Sequence, residues 1–232
     1  MDPRQLFADE RLRGMCVYCG VAPDSRDHCP SKVLLDEPLP PNLPVVEACK
    51  HCNNSFSLDE QYLACLIEAV TCGSAKVNDT SRLNIKRILE GTPALATRLE
   101  NSKRLDESGN LIWDVELDRV RRVVLKLARG HIAHELSLPK IEEADTVSFI
   151  PLILMSEEQR LAFESPASGS HELWPEIGSR AFIRAAKGLT NHGSEQWNEV
   201  QPDRYRYLVG QSDGDFVRFV LSEYLACYVV WH

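Results

Sequence analysis

The chain has 232 residues, a formal net charge of −8 at pH 7 and 44% hydrophobic residues. This length accommodates one large domain or two small ones with a buried core. An acidic chain is not expected to coat nucleic acid without selectivity, because that mode of binding depends on an excess of Lys and Arg. The apolar runs, such as residues 147–155, are too short to span a bilayer, and the charged N-terminal segment lacks a secretory signal pattern. We therefore expect a cytoplasmic protein with no membrane partner.

Two Cys-x-x-Cys pairs mark the N-terminal third of the chain: Cys16 with Cys19, and Cys49 with Cys52. A two-residue spacer lets one tight turn present both sulfurs, and two such pairs supply the four thiolates of a tetrahedral zinc site. In a cytoplasmic protein, paired cysteines are better explained as metal ligands than as disulfides. The pattern therefore predicts one structural Zn²⁺ bound by these four residues, which we call the zinc clasp.

The segment between the two pairs is longer than a plain zinc ribbon requires. Asp27 and His28 are adjacent in it, Asn42 stands alone, and Asn53 directly follows the second pair. Five prolines between positions 30 and 44 exclude regular structure there, so the zinc is expected to hold this loop in place. Adjacent residues of a strand point to opposite faces. Asp27 and His28 can therefore share one site only where the first strand ends or bulges.

The stretch CVYCG…RDHCPSK…NLPVVEACKHCNN, residues 16–54, resembles the HNH endonucleases, the ββα-metal family, in the branch that carries a zinc clasp. The resemblance implies a hairpin followed by a helix that grips a metal ion. It also implies hydrolysis of phosphodiester bonds in nucleic acid, DNA more than RNA. By this resemblance His28 is the general base, Asn42 orients it, and Asp27 and Asn53 hold one divalent cation, with Mg²⁺ as the default.

Arg26 and Lys32 flank the Asp-His pair and are candidate phosphate contacts. Many members of the family carry a Lys shortly after the last Asn, whereas residues 54–57 of this chain read Asn-Ser-Phe-Ser. Lys32 or Lys50 is the candidate replacement for that contact.

A second informative element is a helix predicted from Leu117 to about Leu136, with an apolar stripe along one face. Basic residues recur at spacings of three and four on a separate face: Arg119, Arg122, Lys126 and Arg129. Two interpretations stay open. Arg122, Lys126 and Arg129 form a ridge that contacts phosphates, or this is an ordinary solvated helix face. His131 and His134 project to the apolar side and are expected to be packed core histidines.

The remaining elements follow from local patterns. The helix after the second cysteine pair is predicted to begin at Ser57, which would form a capping box with Glu60, and to stop at Gly73. Residues 81–90 and 93–105 are predicted to be helical. Strands are predicted around Ile112-Trp113, over 147–155 and at Phe182-Ile183, followed by an antiparallel meander over 205–231.

These patterns together predict an α+β protein. Residues 1–75 form a zinc-bound ββα-metal (HNH) module, and residues 76–232 form a companion domain of helices followed by an antiparallel sheet. No motif assigns a role to the companion domain, which is the expected place for contact with a protein partner or a second copy of the chain. The alternative function is a zinc-binding module that interacts with nucleic acid or protein without catalysis.

Overall fold

In the computed structural model, which describes residues 14–165, 179–186 and 197–232, the first element is a two-stranded hairpin. Strand β1 (Ser25–His28) pairs antiparallel with β2 (Val45–Ala48), and His28 lies opposite Val45. Helix α1 (Lys50–Cys72) begins two residues after β2 and ends at Gly73, whose φ of 75° is a conformation that glycine adopts without strain. The first strand thus ends at His28, which is what a shared site for Asp27 and His28 requires.

Helix α1 begins two turns earlier than the sequence predicted. Cys49 is the N-cap, and its Sγ accepts a hydrogen bond from the N–H of Cys52. Ser57 lies inside the helix, where its hydroxyl donates to the carbonyl of Asn54, so the predicted capping box with Glu60 is wrong. The reason is that the second cysteine pair itself supplies the helix cap, which no Ser-x-x-Glu rule anticipates.

The other helices that the structure describes are α2 (Leu83–Gly91), α3 (Pro93–Asn101), α4 (Leu117–Leu136), α5 (Glu157–Glu164) and α6 (Arg180–Ala186). The other strands described are β3 (Lys103–Leu105), β4 (Leu111–Trp113), β5 (Thr146–Pro151), β6 (Asn198–Gln201), β7 (Tyr205–Ser212), β8 (Gly214–Leu221) and β9 (Leu225–Trp231). Strands β3 and β4 form a small hairpin, and the last five strands form one antiparallel sheet in the order β5-β9-β8-β7-β6.

The mixed α+β class and the antiparallel C-terminal sheet confirm the prediction, and α4 has the predicted bounds. The strand predicted at Phe182-Ile183 is wrong, because these residues lie in α6. The hydroxyl of Ser179 accepts the N–H of Phe182, a helix-starting contact that outweighs the strand preference of two large apolar residues. None of the helices described is long and apolar enough to cross a bilayer.

Helix α4 is central to the packing, since it contacts α1 as well as β7, β8 and β9. One apolar cluster includes Leu63 of α1, Leu127 of α4 and Phe219 of the sheet. This cluster crosses the domain boundary predicted at residue 75, so the segments on either side of that boundary share a core. A smaller cluster surrounds the four cysteines, and α4 contributes Ala133 to it. His131 of α4 is fully buried and its Nε2 lies 2.7 Å from the hydroxyl of Tyr205, in keeping with a core histidine.

Candidate functional site

The four cysteines of the zinc clasp are gathered at one point. Their sulfurs all lie within 4.8 Å of one another, and Sγ of Cys19 is 3.8 Å from Sγ of Cys49. Four thiolates arranged tetrahedrally at about 2.3 Å from a zinc ion would be about 3.8 Å apart. The cluster can therefore hold a zinc ion. Within the described ranges, no other group of three or more His, Cys, Asp or Glu side chains is gathered in this way.

Local chain geometry presents the two pairs of sulfurs. The first pair lies in a tight turn, in which the N–H of Gly20 donates to the carbonyl of Cys16 at 2.8 Å and Gly20 has a φ of 79°. The second pair lies at the start of α1. The hydrogen bond from the N–H of Cys52 lowers the pKa of Cys49, which favours the thiolate form that binds metal.

Asp27 lies on the buried face of β1 and is only 7% exposed. One carboxylate oxygen, Oδ2, accepts a hydrogen bond from the Tyr18 hydroxyl at 2.9 Å. The same oxygen lies 2.8 Å from Nζ of Lys126. In the part of the chain that the structure describes, the other oxygen, Oδ1, makes no hydrogen bond or ion pair. Asp27 is therefore fixed by one oxygen and retains a lone-pair donor on the other.

Lys126 completes a buried ionic cluster. Its ammonium contacts Oε1 of Glu60 at 2.6 Å and Oγ of Ser31 at 2.7 Å, in addition to Asp27. Burial alone would lower the pKa of Lys126, but the carboxylates of Glu60 and Asp27 outweigh this effect and raise it. The three N–H donors of the ammonium thus have three oxygen partners, and the side chain remains charged inside the protein.

His28 is the last residue of β1 and is half-buried. Because neighbouring residues of a strand alternate, its side chain leaves the strand on the face opposite to Asp27. The next residue, Cys29, is fully buried, and its N–H donates to the carbonyl of Pro44 at 2.9 Å. Asn42 is exposed in the turn just before Pro44. The candidate orienting residue therefore lies in the turn that borders the end of β1.

Asn53 ties the start of α1 to β1. Its Nδ2 donates to the carbonyl of Arg26 at 3.1 Å and lies 3.4 Å from Oγ of Ser25. This contact places Asn53 beside the strand residue that precedes Asp27. Its own amide oxygen, Oδ1, accepts no hydrogen bond from the described residues, and so it remains an oxygen donor near the carboxylate.

The basic residues of α4 do not form a ridge of free cations. Lys126 is buried in the ionic cluster, and the phosphate contact predicted for it is corrected on that ground. Arg119 and Arg122 both pair with Asp59, at 2.6 Å and 3.0 Å. Arg129 donates to the backbone carbonyls of residues 141 and 142. These side chains hold neighbouring parts of the protein together, and the charge of Arg122, which is half-exposed, is already shared with a carboxylate.

The two cations beside the Asp-His pair differ from each other. Arg26 is exposed and lies 3.4 Å from a carboxylate oxygen of Glu47. Lys32 is exposed and has no ion-pair partner in the described residues. Lys50, the other candidate replacement for the missing family Lys, is 3.7 Å from Asp24. Lys32 is therefore the nearest unpaired cation to His28 along the sequence.

Sequence reasoning missed the contacts that Tyr18, Ser31, Glu60 and Lys126 make with one another and with Asp27. One signal was present for Lys126, which follows Val123 by three residues and thus lies at the edge of the apolar stripe of α4. Comparison of the chain with models of protein families, with curated proteins and with solved structures found no match. The residues themselves therefore carry the functional argument.

Proposed function

We propose that this protein is a metal-dependent HNH-type endonuclease that hydrolyses phosphodiester bonds in nucleic acid, with DNA as the expected substrate. The observation that carries the proposal is the corner between β1 and α1. There the four cysteines join the turn before β1 to the first turn of α1, Asn53 is bound to β1, and Asp27 and His28 stand at the strand end. This arrangement is the one that the family resemblance requires.

The donors at this corner suit a hard divalent cation. Oδ1 of Asp27 and Oδ1 of Asn53 are carboxylate and amide oxygens, the ligands that Mg²⁺ takes in proteins. We expect these two atoms to hold the ion. When bound, such an ion stabilises negative charge that develops on the phosphate and the leaving oxygen.

The protein's own part in the chemistry falls to His28. An imidazole titrates near neutrality, so its neutral form can accept a proton from the attacking water at physiological pH. Asn42, in the adjacent turn, would orient the ring. Lys32 would supply a positive charge for a neighbouring phosphate. The overall charge of −8 gives little nonspecific affinity, so substrate choice would depend on this small cationic edge and on the shape of the target.

The proposal is tested by plasmid nicking in Mg²⁺ or Mn²⁺. His28→Ala is expected to abolish nicking, because no general base would remain at the strand end. His51→Ala is the matched control, since His51 is an exposed histidine inside the second cysteine pair and should retain full activity. If His28→Ala nicks as fast as the unmodified chain, or if no divalent metal supports nicking, the protein is not an HNH nuclease. A labelled RNA assayed in parallel decides between the two nucleic acids.

One observation favours a second candidate, the zinc-binding module without catalysis. The ammonium of Lys126 already neutralises Asp27 and Glu60 at contact distance, so the buried carboxylates are stable without a divalent ion. This candidate predicts that the chain shifts DNA or RNA in a gel without cutting it. Binding that His28→Ala leaves unchanged, together with no nicking, would establish it.

A further inference from the structure

The zinc clasp and the candidate catalytic carboxylate are connected by one side chain. Tyr18 lies between Cys16 and Cys19 in the first cysteine pair, and its hydroxyl donates to Oδ2 of Asp27 at 2.9 Å. Tyr18 is 5% exposed. Burial and the Asp27 carboxylate both raise its pKa well above the usual range, so the phenol remains a hydrogen-bond donor at any pH at which the protein is active.

A second donor fixes the same oxygen from the opposite part of the chain. Lys126 of α4 reaches Oδ2 of Asp27 at 2.8 Å, and its side chain is 1% exposed. Since Oδ2 receives both donors, rotation of the carboxylate about its last bond would break two contacts at once. Oδ1 is thereby presented in a single direction.

The same helix also sets the position of the residue on the other side of His28. Sγ of Cys29 donates to the carbonyl of Leu127 at 3.3 Å. A Cβ atom added to Gly130 would lie 2.6 Å from that sulfur, which shows how closely α4 approaches Cys29. Both chain neighbours of His28 are therefore held against α4, one by a charge contact and one by close packing.

We propose that Tyr18 and Lys126 are positioning residues for the candidate site: they hold Oδ2 of Asp27 so that Oδ1 faces the divalent cation. This inference rests on the proposed function. It gives the zinc clasp a second task, because the cysteine pair that binds the ion also carries the tyrosine that orients the carboxylate. It also gives residues beyond position 75 a part in the site through Lys126.

Tyr18→Phe is the cleanest test, because it removes one hydroxyl without changing charge or ring packing. The ring lies 5.4 Å from that of Phe56 in an edge contact, which phenylalanine preserves. Groups that hold a metal-binding carboxylate typically contribute about tenfold or more to affinity or activity. We expect Tyr18→Phe to lower kcat about tenfold at saturating Mn²⁺ and to weaken Mn²⁺ binding by a similar factor. The KM for plasmid and the bound zinc should be unchanged.

Two controls separate positioning from folding. Tyr62→Phe removes a buried hydroxyl that accepts the N–H of Glu116 at 2.9 Å, away from Asp27, and should leave kcat and Mn²⁺ affinity intact. Asp27→Asn provides the second control: if Tyr18 acts through the carboxylate, adding Tyr18→Phe to Asp27→Asn should cause little further loss.

The outcomes distinguish this inference from the proposed function. Nicking by the unmodified chain with equal kcat for Tyr18→Phe overturns the positioning role alone, as does an equal loss with and without the Asp27 carboxylate. Absence of nicking overturns the nuclease proposal, and the Mn²⁺ titration then decides the positioning role. Binding that depends on Asp27 and is weakened by Tyr18→Phe supports it. Binding that ignores Asp27, or none at all, overturns it as well.

Discussion

At the scale of single residues, the buried charge of Lys126 has the largest consequences. Its ammonium and its carboxylate partners are almost wholly removed from water. Such a cluster is stable only while every member has its partners, because an unpaired charge in the interior retains its desolvation cost without compensation. The sequence shows a lysine among arginines on one helix but does not show which of the four turns inwards. That choice depends on Asp27 and Glu60, which come from other elements.

We expect Lys126→Met to destabilise the protein by about 3–5 kcal/mol, since it leaves two buried carboxylates facing each other without a cation. Adding Asp27→Asn and Glu60→Gln to this variant should recover much of the loss, because the remaining groups are then neutral. Urea unfolding of the two variants and the unmodified chain measures both effects. A loss below about 1 kcal/mol for Lys126→Met would mean that the cluster is open to water in solution.

At the scale of elements, the hairpin and the start of α1 depend on the cysteines, whereas the loop between them depends on something else. The proline-rich loop was expected to be held by zinc. In the structure Asp36, in the middle of that loop, pairs with Arg82 and Arg204 and lies 2.8 Å, through its N–H, from the side chain of Gln201. The loop is therefore tied to α2 and to the end of the sheet. These partners are far away in the sequence, and no local pattern could have identified them.

Loss of zinc is expected to loosen one part of the structure selectively. Cys49→Ser removes a ligand and the sulfur that accepts the N–H of Cys52, so β1, β2 and the first turn of α1 should lose protection from hydrogen exchange. Strands β7 to β9 should remain protected, because their core does not include the clasp.

Cys72→Ser is the matched control for that experiment. Cys72 is half-buried at the far end of α1 and contacts Glu68, outside the clasp. It should leave both regions protected and the zinc content unchanged. Equal exchange of the N-terminal hairpin in Cys49→Ser and in the unmodified chain would contradict the structural role of the metal.

At the scale of the whole molecule, the sequence predicted the class and most of the elements but could not show how they share a core. Periodicity located α4 and the meander, and the cysteine spacing located the clasp, because these signals are local. The division at residue 75 rested on the end of the motif. The structure shows α1 burying Leu63 and Ile67 in the same cluster as Val124 of α4 and Phe219 of β8. Contacts of that range are set by tertiary packing, which a motif does not record.

Because this core is shared, we expect residues 1–75 alone to remain largely unfolded even with zinc present. The buried face of α1 would be exposed in such a fragment, and Asp27 and Glu60 would lose Lys126. Circular dichroism and the dispersion of amide resonances measure the result, with the full chain in the same zinc buffer as control. A zinc-bound fragment with dispersed resonances would instead support two independently folding domains.

The spacing between Lys126 and Gly130 has a consequence for how this chain can change over evolutionary time. These two residues contact Asp27 and Cys29 from positions one helical turn apart. Insertion or deletion of one residue between them would rotate one against the other by about 100° around the helix axis. Length variation is therefore forbidden within that turn, although it is a hundred residues distant from the motif it serves. The loops between β3 and β4, by contrast, can lengthen freely.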